Sequence, residues 1–203
     1  MLLVYGKVGS FILLNSYHSV WLNTIFTYYT YSGDGLFSLF VIAILVFYYQ
    51  KKDTALAFLY GYLISGIIVQ VLKKIAVSPR PKMFFEPGQY AYFIEGVTHA
   101  GNTSFPSGHT ASAFALVTIA AILIKNKKTQ LVLLLLAILE GYSRIYLAQH
   151  FLLDVIVGGV IGVLSAFPSL YLAENTKYLK KHFQHKVKIT SNSAEFASKV
   201  QDI

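Results

Sequence analysis

Five apolar stretches, each close to the length needed to cross a lipid bilayer, restrict most strongly what this chain can fold into. They cover residues 34–50, 54–73, 107–124, 129–147 and 150–172. A transmembrane helix needs roughly 20 apolar residues, within a range of about 17–25. The sequence therefore predicts an all-α integral membrane bundle with about five transmembrane helices, or six if a further N-terminal stretch also spans.

The composition agrees with a membrane protein that has one compact bundle. Of the 203 residues, 55% are hydrophobic and only 13% are charged, whereas soluble domains carry about a quarter charged residues. The net charge is +8, but much of it lies in polar gaps between the apolar stretches and in the tail, where membrane topology places lysine. We therefore do not expect a nucleic-acid partner. The chain has no cysteine, which excludes disulfides and thiolate metal sites.

Three regions follow from this pattern: an interfacial N-terminal segment (1–33), a membrane-embedded bundle (34–172) and a basic tail (173–203). In residues 8–31 apolar side chains recur near helical spacing opposite hydroxyl and amide side chains, which is typical of helices lying in the membrane interface. A poorly hydrophobic sixth span is the alternative. The aromatic-rich loop 82–106 is either a lid or part of the interfacial aromatic belt.

The distribution of lysine predicts an orientation. With five spans, the chain positions 73, 107, 147 and 150 fall on one membrane face. Eleven of the 17 lysines and arginines fall on the other face, in two tight turns and the tail. Because positively charged loops stay in the cytoplasm, we expect the tail to be cytoplasmic. The opposite face then points to the periplasm or the exterior from a plasma or inner membrane.

The outward face carries three short segments whose side chains suit a phosphate group, and the first contains two cations. Lys73 lies in the last turn of its span, and Arg80 lies in the loop that follows, because Pro79 and Pro81 end the helix. Both side chains are predicted to reach one point at the membrane surface. A snorkelling lysine beside an unrelated interfacial arginine is the alternative.

The second segment, Pro106-Ser107-Gly108-His109, opens the third apolar stretch. A helix N-terminus binds anions through its free N–H groups and the positive end of its dipole. Ser107 is predicted to cap the helix or to donate to a phosphate oxygen. Gly108 allows a close approach to the backbone, and His109 can give or take a proton near neutral pH.

The third segment combines an arginine with a histidine and a carboxylate. His150 and Asp154 are four residues apart and share a helix face. A carboxylate bonded to one ring nitrogen leaves the other nitrogen free as a nucleophile. Arg144 suits bidentate phosphate binding. A structural hydrogen bond or half of a metal site are the alternatives, but Lys73, Arg80 and Arg144 would repel a divalent cation.

Two further side chains of the fourth stretch are candidate supporting residues. Glu140 lies four residues before Arg144, and we predict that it holds the guanidinium group in place, with inter-helix packing as the alternative. Ser143 lies directly before the arginine. Elsewhere, Asp34 is predicted to cap the first span, and Gln70 to join two helices.

The pattern K-x6-RP, PSGH and SR-x5-H-x3-D, spread over residues 34–172, resembles the three-part signature of the type-2 phosphatidic acid phosphatase family. This family is the membrane branch of the superfamily that also contains vanadium haloperoxidases. The resemblance implies a helical bundle, no metal or other cofactor, and a covalent phosphohistidine intermediate. It implies that His150 is the nucleophile, that Asp154 orients it, and that His109 is the general acid. The phosphoryl oxygens would be bound by Lys73, Arg80, Ser107, Gly108 and Arg144.

The expected function is hydrolysis of an extracytoplasmic lipid phosphate or diphosphate. The candidates include undecaprenyl diphosphate, phosphatidylglycerol phosphate, phosphatidic acid and a lipid A phosphate. A lipid-to-lipid phosphotransferase would use the same site, and a non-catalytic lipid-phosphate binder or transporter is a further alternative. The expected partners are the lipid substrate and the bilayer, and the sequence indicates neither the lipid nor the oligomeric state.

Overall fold

The computed structural model describes residues 1–201, with side chains for residues 1–176. This part of the chain forms eight α-helices and one 3-10 helix and contains no β-sheet, which confirms the predicted all-α fold. The predicted basic tail, 173–203, lies mostly outside the described side chains. The helices are α1 (Leu2–Leu14), α2 (Val20–Tyr29), the 3-10 helix (Thr30–Gly33), α3 (Gly35–Phe47), α4 (Lys52–Ile75), α5 (Pro81–Phe84), α6 (Gly108–Leu123), α7 (Lys127–Tyr146) and α8 (Leu152–Gln201).

Three helices in the described part are long and apolar enough to cross a bilayer. They are α4, α7 and the portion Leu152–Thr176 of α8. A fourth span results if Val20–Gly33 and α3, which meet at a bend of 58°, are counted as one. Helix α6 has 16 residues and α3 has 13, so both are shorter than the spans predicted there. The integral membrane bundle is confirmed, and the count of five spans stays a prediction that depends on these two helices.

Polar side chains cap the N-termini of three of the bundle helices. Asn126 accepts hydrogen bonds from the N–H groups of Lys128 and Thr129 at the start of α7. Asp34 accepts from the N–H of Leu36 at 3.0 Å, which confirms it as the cap of α3. Ser107 caps α6. Each cap satisfies an N–H group that has no partner inside its helix.

Helix α6 lies at the centre of the bundle, and α8 approaches it closely through two glycines. A Cβ atom on Gly158 would lie 2.5 Å from the carbonyl oxygen of Ser107, and one on Gly162 would overlap the carbonyl oxygen of Ala111. Small residues four positions apart permit this approach between membrane helices. The contact joins the two helix starts, since the N–H of Ser107 donates to the carbonyl oxygen of Asp154 at 2.9 Å.

Aromatic side chains of the loop 82–106 pack inside the protein against α1. Phe11 is fully buried, and its ring lies 5.5 Å from that of Phe85 and 5.2 Å from those of Tyr90 and Phe151. Apolar side chains of α1, the loop and the start of α8 thus form one cluster. This cluster ties the N-terminal segment to the loop.

His18 makes a second connection between the N-terminal segment and the rest of the chain. Its ring stacks on Tyr92 at 4.6 Å and on Tyr146 at 4.2 Å. The two ring nitrogens lie 3.1 and 3.2 Å from the side-chain oxygens of Asn15 and Asn23. The segment between α1 and α2 is therefore held against both the loop and α7.

The glycine contact between α6 and α8 predicts a stability difference between two alanine variants. We expect Gly158→Ala to lower the free energy of unfolding by about 1–3 kcal/mol, because the added methyl group meets a backbone oxygen that cannot move aside. Thermal unfolding in detergent measures the change. Gly66 on α4 is the matched control, since nothing lies within 4 Å of its Cβ position. The Gly66→Ala variant should be slightly more stable than the wild type, because alanine is favoured over glycine in a helix by about 1 kcal/mol. Equal unfolding midpoints for the two variants would contradict the close packing.

Candidate active site

A cavity of about 410 Å³ lies where α4 and α7 end and α6 begins. All three predicted segments contribute to its lining, through Lys73, Arg80, Gly108, His109, Arg144 and His150. The predicted convergence of the three segments is therefore confirmed. Ser107 and Asp154 are buried behind this lining.

His150 is held against a carboxylate on the side away from the cavity. Its Nδ1 atom lies 3.5 Å from Oδ2 of Asp154, and the histidine is only 1% exposed. The same carboxylate oxygen accepts hydrogen bonds from Oγ of Ser104 at 2.6 Å and from the N–H of Phe151 at 2.9 Å. These two donors fix the carboxylate, and the Nε2 atom of His150 is left for the cavity.

The turn between α7 and α8 presents His150 to the cavity. Ala148 has a φ of 50°, in the left-handed region, where a non-glycine residue costs roughly 1–2 kcal/mol. The N–H groups of Gln149 and His150 both bond to the carbonyl oxygen of Arg144, at 3.0 and 3.2 Å. The backbone therefore turns at Ala148, just after the end of α7, and Arg144 and His150 face the same cavity.

His150 lies in this turn, outside the membrane-spanning helices. Burial lowers the pKa of His150 below its ordinary value of 6.5. The guanidinium groups of Arg144 and Arg80 act in the same direction, while the hydrogen bond to Asp154 opposes them. These effects together favour the neutral form of the imidazole.

Arg144 is held by partners other than the predicted one. Its Nη1 donates to Oγ1 of Thr30, and its Nη2 donates to Oε1 of Gln149. In the described part of the chain, both carboxylate oxygens of Glu140 and the Nε of Arg144 are buried without a hydrogen-bond partner. Glu140 and the guanidinium group therefore form no direct hydrogen bond, and the role of Glu140 in holding Arg144 through its charge stays a prediction. The carboxylate lies instead against the backbone of Gly33 in the 3-10 helix.

The other two cations are placed by a pair of backbone segments. Residues 78–80 run beside residues 101–104, with the N–H of Arg80 bonded to the carbonyl oxygen of Gly101 at 2.8 Å. Lys73 donates from Nζ to the carbonyl oxygen of Thr103 at 2.9 Å. The loop that precedes α6 therefore holds both cations at the cavity.

The start of α6 provides a second histidine and free backbone donors. Within the described residues, the N–H groups of Gly108 and His109 bond to no acceptor, so they are available to an anion. Ser107 has its side chain fully buried and bonded to Thr110, so it caps the helix and does not line the cavity. The Nε2 of His109 lies 3.8 Å from Oδ2 of Asp34.

Several residues around the site lie outside the three motifs, and their contribution was not predicted from the sequence. Ser104 lies two positions before Pro106 and directly orients Asp154. Gln149 precedes the nucleophile candidate, and Thr30 belongs to the N-terminal segment. His99 lines the cavity from the loop 82–106. A serine two positions before the second motif and a glutamine directly before His150 were the available signal. Nothing in the sequence pointed to Thr30 or His99.

The arrangement of these side chains defines a class of protein. Three cations and two free backbone N–H groups surround one space, which suits the oxygens of a phosphate group. A histidine held by a carboxylate faces the same space, together with a second histidine. This is an integral membrane protein with a cavity suited to a phosphate group.

Comparison with known proteins agrees with this class. A family model described as the PAP2 superfamily matches residues 54–178. Phosphatidylglycerophosphatase B of Bacillus subtilis is 31% identical over 159 residues, which cover 72% of this chain and 73% of the relative. Undecaprenyl-diphosphatase BcrC of the same organism is 28% identical over 156 residues, 75% of each chain. The crystal structure of Aquifex aeolicus LpxE is similar with a TM-score of 0.71 at 32% identity, over 81% of this chain and 94% of that one. The chain belongs to the PAP2 superfamily.

The bonds to Arg144 predict how the cavity responds to a small anion. Thr30→Val removes the acceptor for Nη1 and leaves a buried guanidinium donor unpaired, so we expect the affinity for inorganic phosphate to fall about tenfold. The concentration of phosphate needed to raise the unfolding temperature measures this affinity. Thr24→Val is the matched control, because Thr24 is exposed and bonds only to its own helix. The same phosphate dependence in both variants would show that Thr30 does not support the arginine.

Proposed function

We propose that this protein is a membrane-bound phosphatase that acts on a lipid phosphate or diphosphate through a phosphohistidine intermediate on His150. The observation that carries the proposal is the pairing of His150 with Asp154 at the edge of a cavity that contains three cations. The relatives named above are phosphatases of two different lipids. Their shared feature, an anionic phosphate on a lipid, is the substrate class we propose here.

In the first step, Nε2 of His150 attacks the phosphorus atom. The P–N bond forms as the bond from phosphorus to the leaving oxygen breaks, and protonated His109 gives its proton to that oxygen. The leaving oxygen belongs to the lipid alcohol in a monophosphate and to the remaining lipid phosphate in a diphosphate. Charge on the transferring group is stabilised by Lys73, Arg80 and Arg144 together with the free N–H groups of α6. Preorganised donors of this kind supply the electrostatic stabilisation that phosphoryl transfer needs.

In the second step, a water molecule attacks the phosphohistidine. His109 takes a proton from the water, the P–N bond breaks and inorganic phosphate is released. His150 returns to its neutral form with Nδ1 still facing Asp154. If a second lipid took the place of water, the same site would catalyse a phosphotransfer.

The proposed orientation places the cavity on the outer side of the membrane. Support comes from the lysines of the two tight turns and the tail, which are typical of a cytoplasmic face. The cavity lies at the other ends of the same helices, since Lys73 is in the last turn of α4 and Gly108 in the first turn of α6. The substrate is therefore a lipid of the outer leaflet.

Removing the nucleophile tests the proposal directly. We expect His150→Ala to lower phosphate release from a panel of lipid monophosphates and diphosphates by at least about a thousandfold. Purified protein in detergent with EDTA is assayed for inorganic phosphate, and Gly66→Ala prepared in parallel is the control. With labelled substrate, the wild type should carry label that is stable in alkali and lost in acid.

Two results would contradict this mechanism. Normal phosphate release by a folded His150→Ala variant would exclude the nucleophile. Label that passes to a second lipid and not to inorganic phosphate would identify a phosphotransferase in place of a hydrolase.

The general acid has a separate signature. His109→Ala should slow hydrolysis of an alkyl phosphate by about 100-fold or more, because a poor leaving group needs the proton. The same variant should hydrolyse p-nitrophenyl phosphate with a much smaller loss in the first step, because nitrophenolate leaves without one. Single-turnover rates with the two substrates measure this difference. Equal losses on both would show that His109 does not protonate the leaving oxygen.

A further inference from the structure

A second cavity, of about 370 Å³, adjoins the catalytic cavity at the bend between the 3-10 helix and α3. We call it the bend groove, and the residues that line it include Tyr28, Tyr29, Tyr31, Asp34, Leu36 and Phe37. Two of them, Tyr31 and Asp34, also line the catalytic cavity. The two spaces therefore share a wall.

The bend groove is built into the fold, because the chain at the bend is packed against two helices. A Cβ atom on Gly33 would lie 2.5 Å from Oε1 of Glu140 on α7, and one on Gly35 would overlap the hydroxyl group of Tyr62 on α4. The hydroxyl group of Tyr29 donates to the carbonyl oxygen of Leu136 at 2.8 Å. These contacts hold the groove at a constant position beside the cavity.

The surface of the groove differs in chemistry from that of the cavity. The groove is lined mainly by aromatic and aliphatic side chains, and its described lining includes no lysine or arginine. Phe37 is 42% exposed and Leu36 is 78% exposed. These side chains belong to the first turn of α3, at the same end of the bundle as the cavity. Exposed apolar surface at this level is in contact with lipid in a membrane protein.

We infer that the bend groove holds the part of the substrate's hydrocarbon chain that is next to the phosphate. The inference rests on the proposed function, since it assumes that the phosphate of a lipid occupies the catalytic cavity. A lipid phosphate joins an anion directly to a hydrocarbon, and here a cationic cavity joins directly to an apolar groove. Asp34 lines both spaces, but the three cations line only the cavity, so the phosphate is attracted to the cavity and the groove is left for the chain.

A larger apolar groove, of about 510 Å³, lies between α7 and α8 and is lined by residues such as Ile138, Val160 and Leu164. None of its described lining residues lines the catalytic cavity. A chain lying in this groove would have no direct path to a phosphate beside His150. It serves as the internal comparison for the experiment.

The experiment compares a long and a short substrate in mixed detergent micelles. Hexadecyl phosphate carries a chain that can extend along the groove, and methyl phosphate carries no chain that could enter it. We expect Phe37→Ala to lower the ratio of kcat/KM for hexadecyl phosphate to that for methyl phosphate about tenfold, because apolar contact with the chain is lost. Phe47→Ala, at the far end of α3, and Val160→Trp, which fills the groove between α7 and α8, should leave the ratio unchanged.

Two outcomes would overturn the inference: an unchanged ratio in Phe37→Ala, or a ratio that falls only in Val160→Trp. Hydrolysis of neither substrate by folded wild-type protein would overturn the proposed function instead, so the two failures are distinguishable.

A second measurement does not depend on turnover or on a groove variant folding. The His150→Ala protein is irradiated with an alkyl phosphate that carries a diazirine near its phosphate. Label on Tyr28, Leu36 or Phe37, which line only the bend groove, supports the inference. Label on Ile138, Val160 or Leu164, which line only the groove between α7 and α8, excludes it.

Discussion

The close contact between α6 and α8 is the interaction on which the rest of the site depends. Gly158 and Gly162 let the two backbones approach so closely that a methyl group would not fit between them. This brings the N-terminus of α6 against the first turn of α8, where Ser107 bonds to the backbone of Asp154. A free helix N-terminus and an oriented histidine are thereby placed at one cavity. In a bilayer, where apolar burial contributes little to helix association, such packing contributes much of the attraction.

Residues outside the three motifs orient the polar groups of the site. Asp154 is fixed by Ser104 and by a backbone donor, and Arg144 is fixed by Thr30 and Gln149. The carboxylate beside His150 and the guanidinium group of Arg144 are thus held in fixed positions. Buried donors and acceptors at fixed positions need little reorganisation as charge develops on the phosphoryl group. The loop before α6 and the segment before α3 therefore belong to the candidate active site as much as the motif residues do.

Local spacing explains which features could be predicted from the sequence. The cap at Asp34, the turn regions and the shared face of His150 and Asp154 depend on a few neighbouring residues, and prolines beside Arg80 marked a helix end. The partner of Arg144 could not be predicted in this way. Its spacing from Glu140 permits a contact, but the guanidinium bonds to Thr30, which is 114 positions away in the chain. The glycines of α8 were visible as small residues, yet only the fold shows which helix they meet.

The shared wall of Tyr31 and Asp34 has a consequence for how substrate reaches the enzyme. A soluble enzyme that takes a whole lipid from a membrane must overcome about 0.8 kcal/mol for each methylene it withdraws. In the proposed function, the headgroup passes sideways into the cavity while most of the tail stays among its neighbours, so this cost does not arise. The concentration that governs the reaction is then the mole fraction of lipid in the leaflet, and encounter occurs by diffusion in two dimensions.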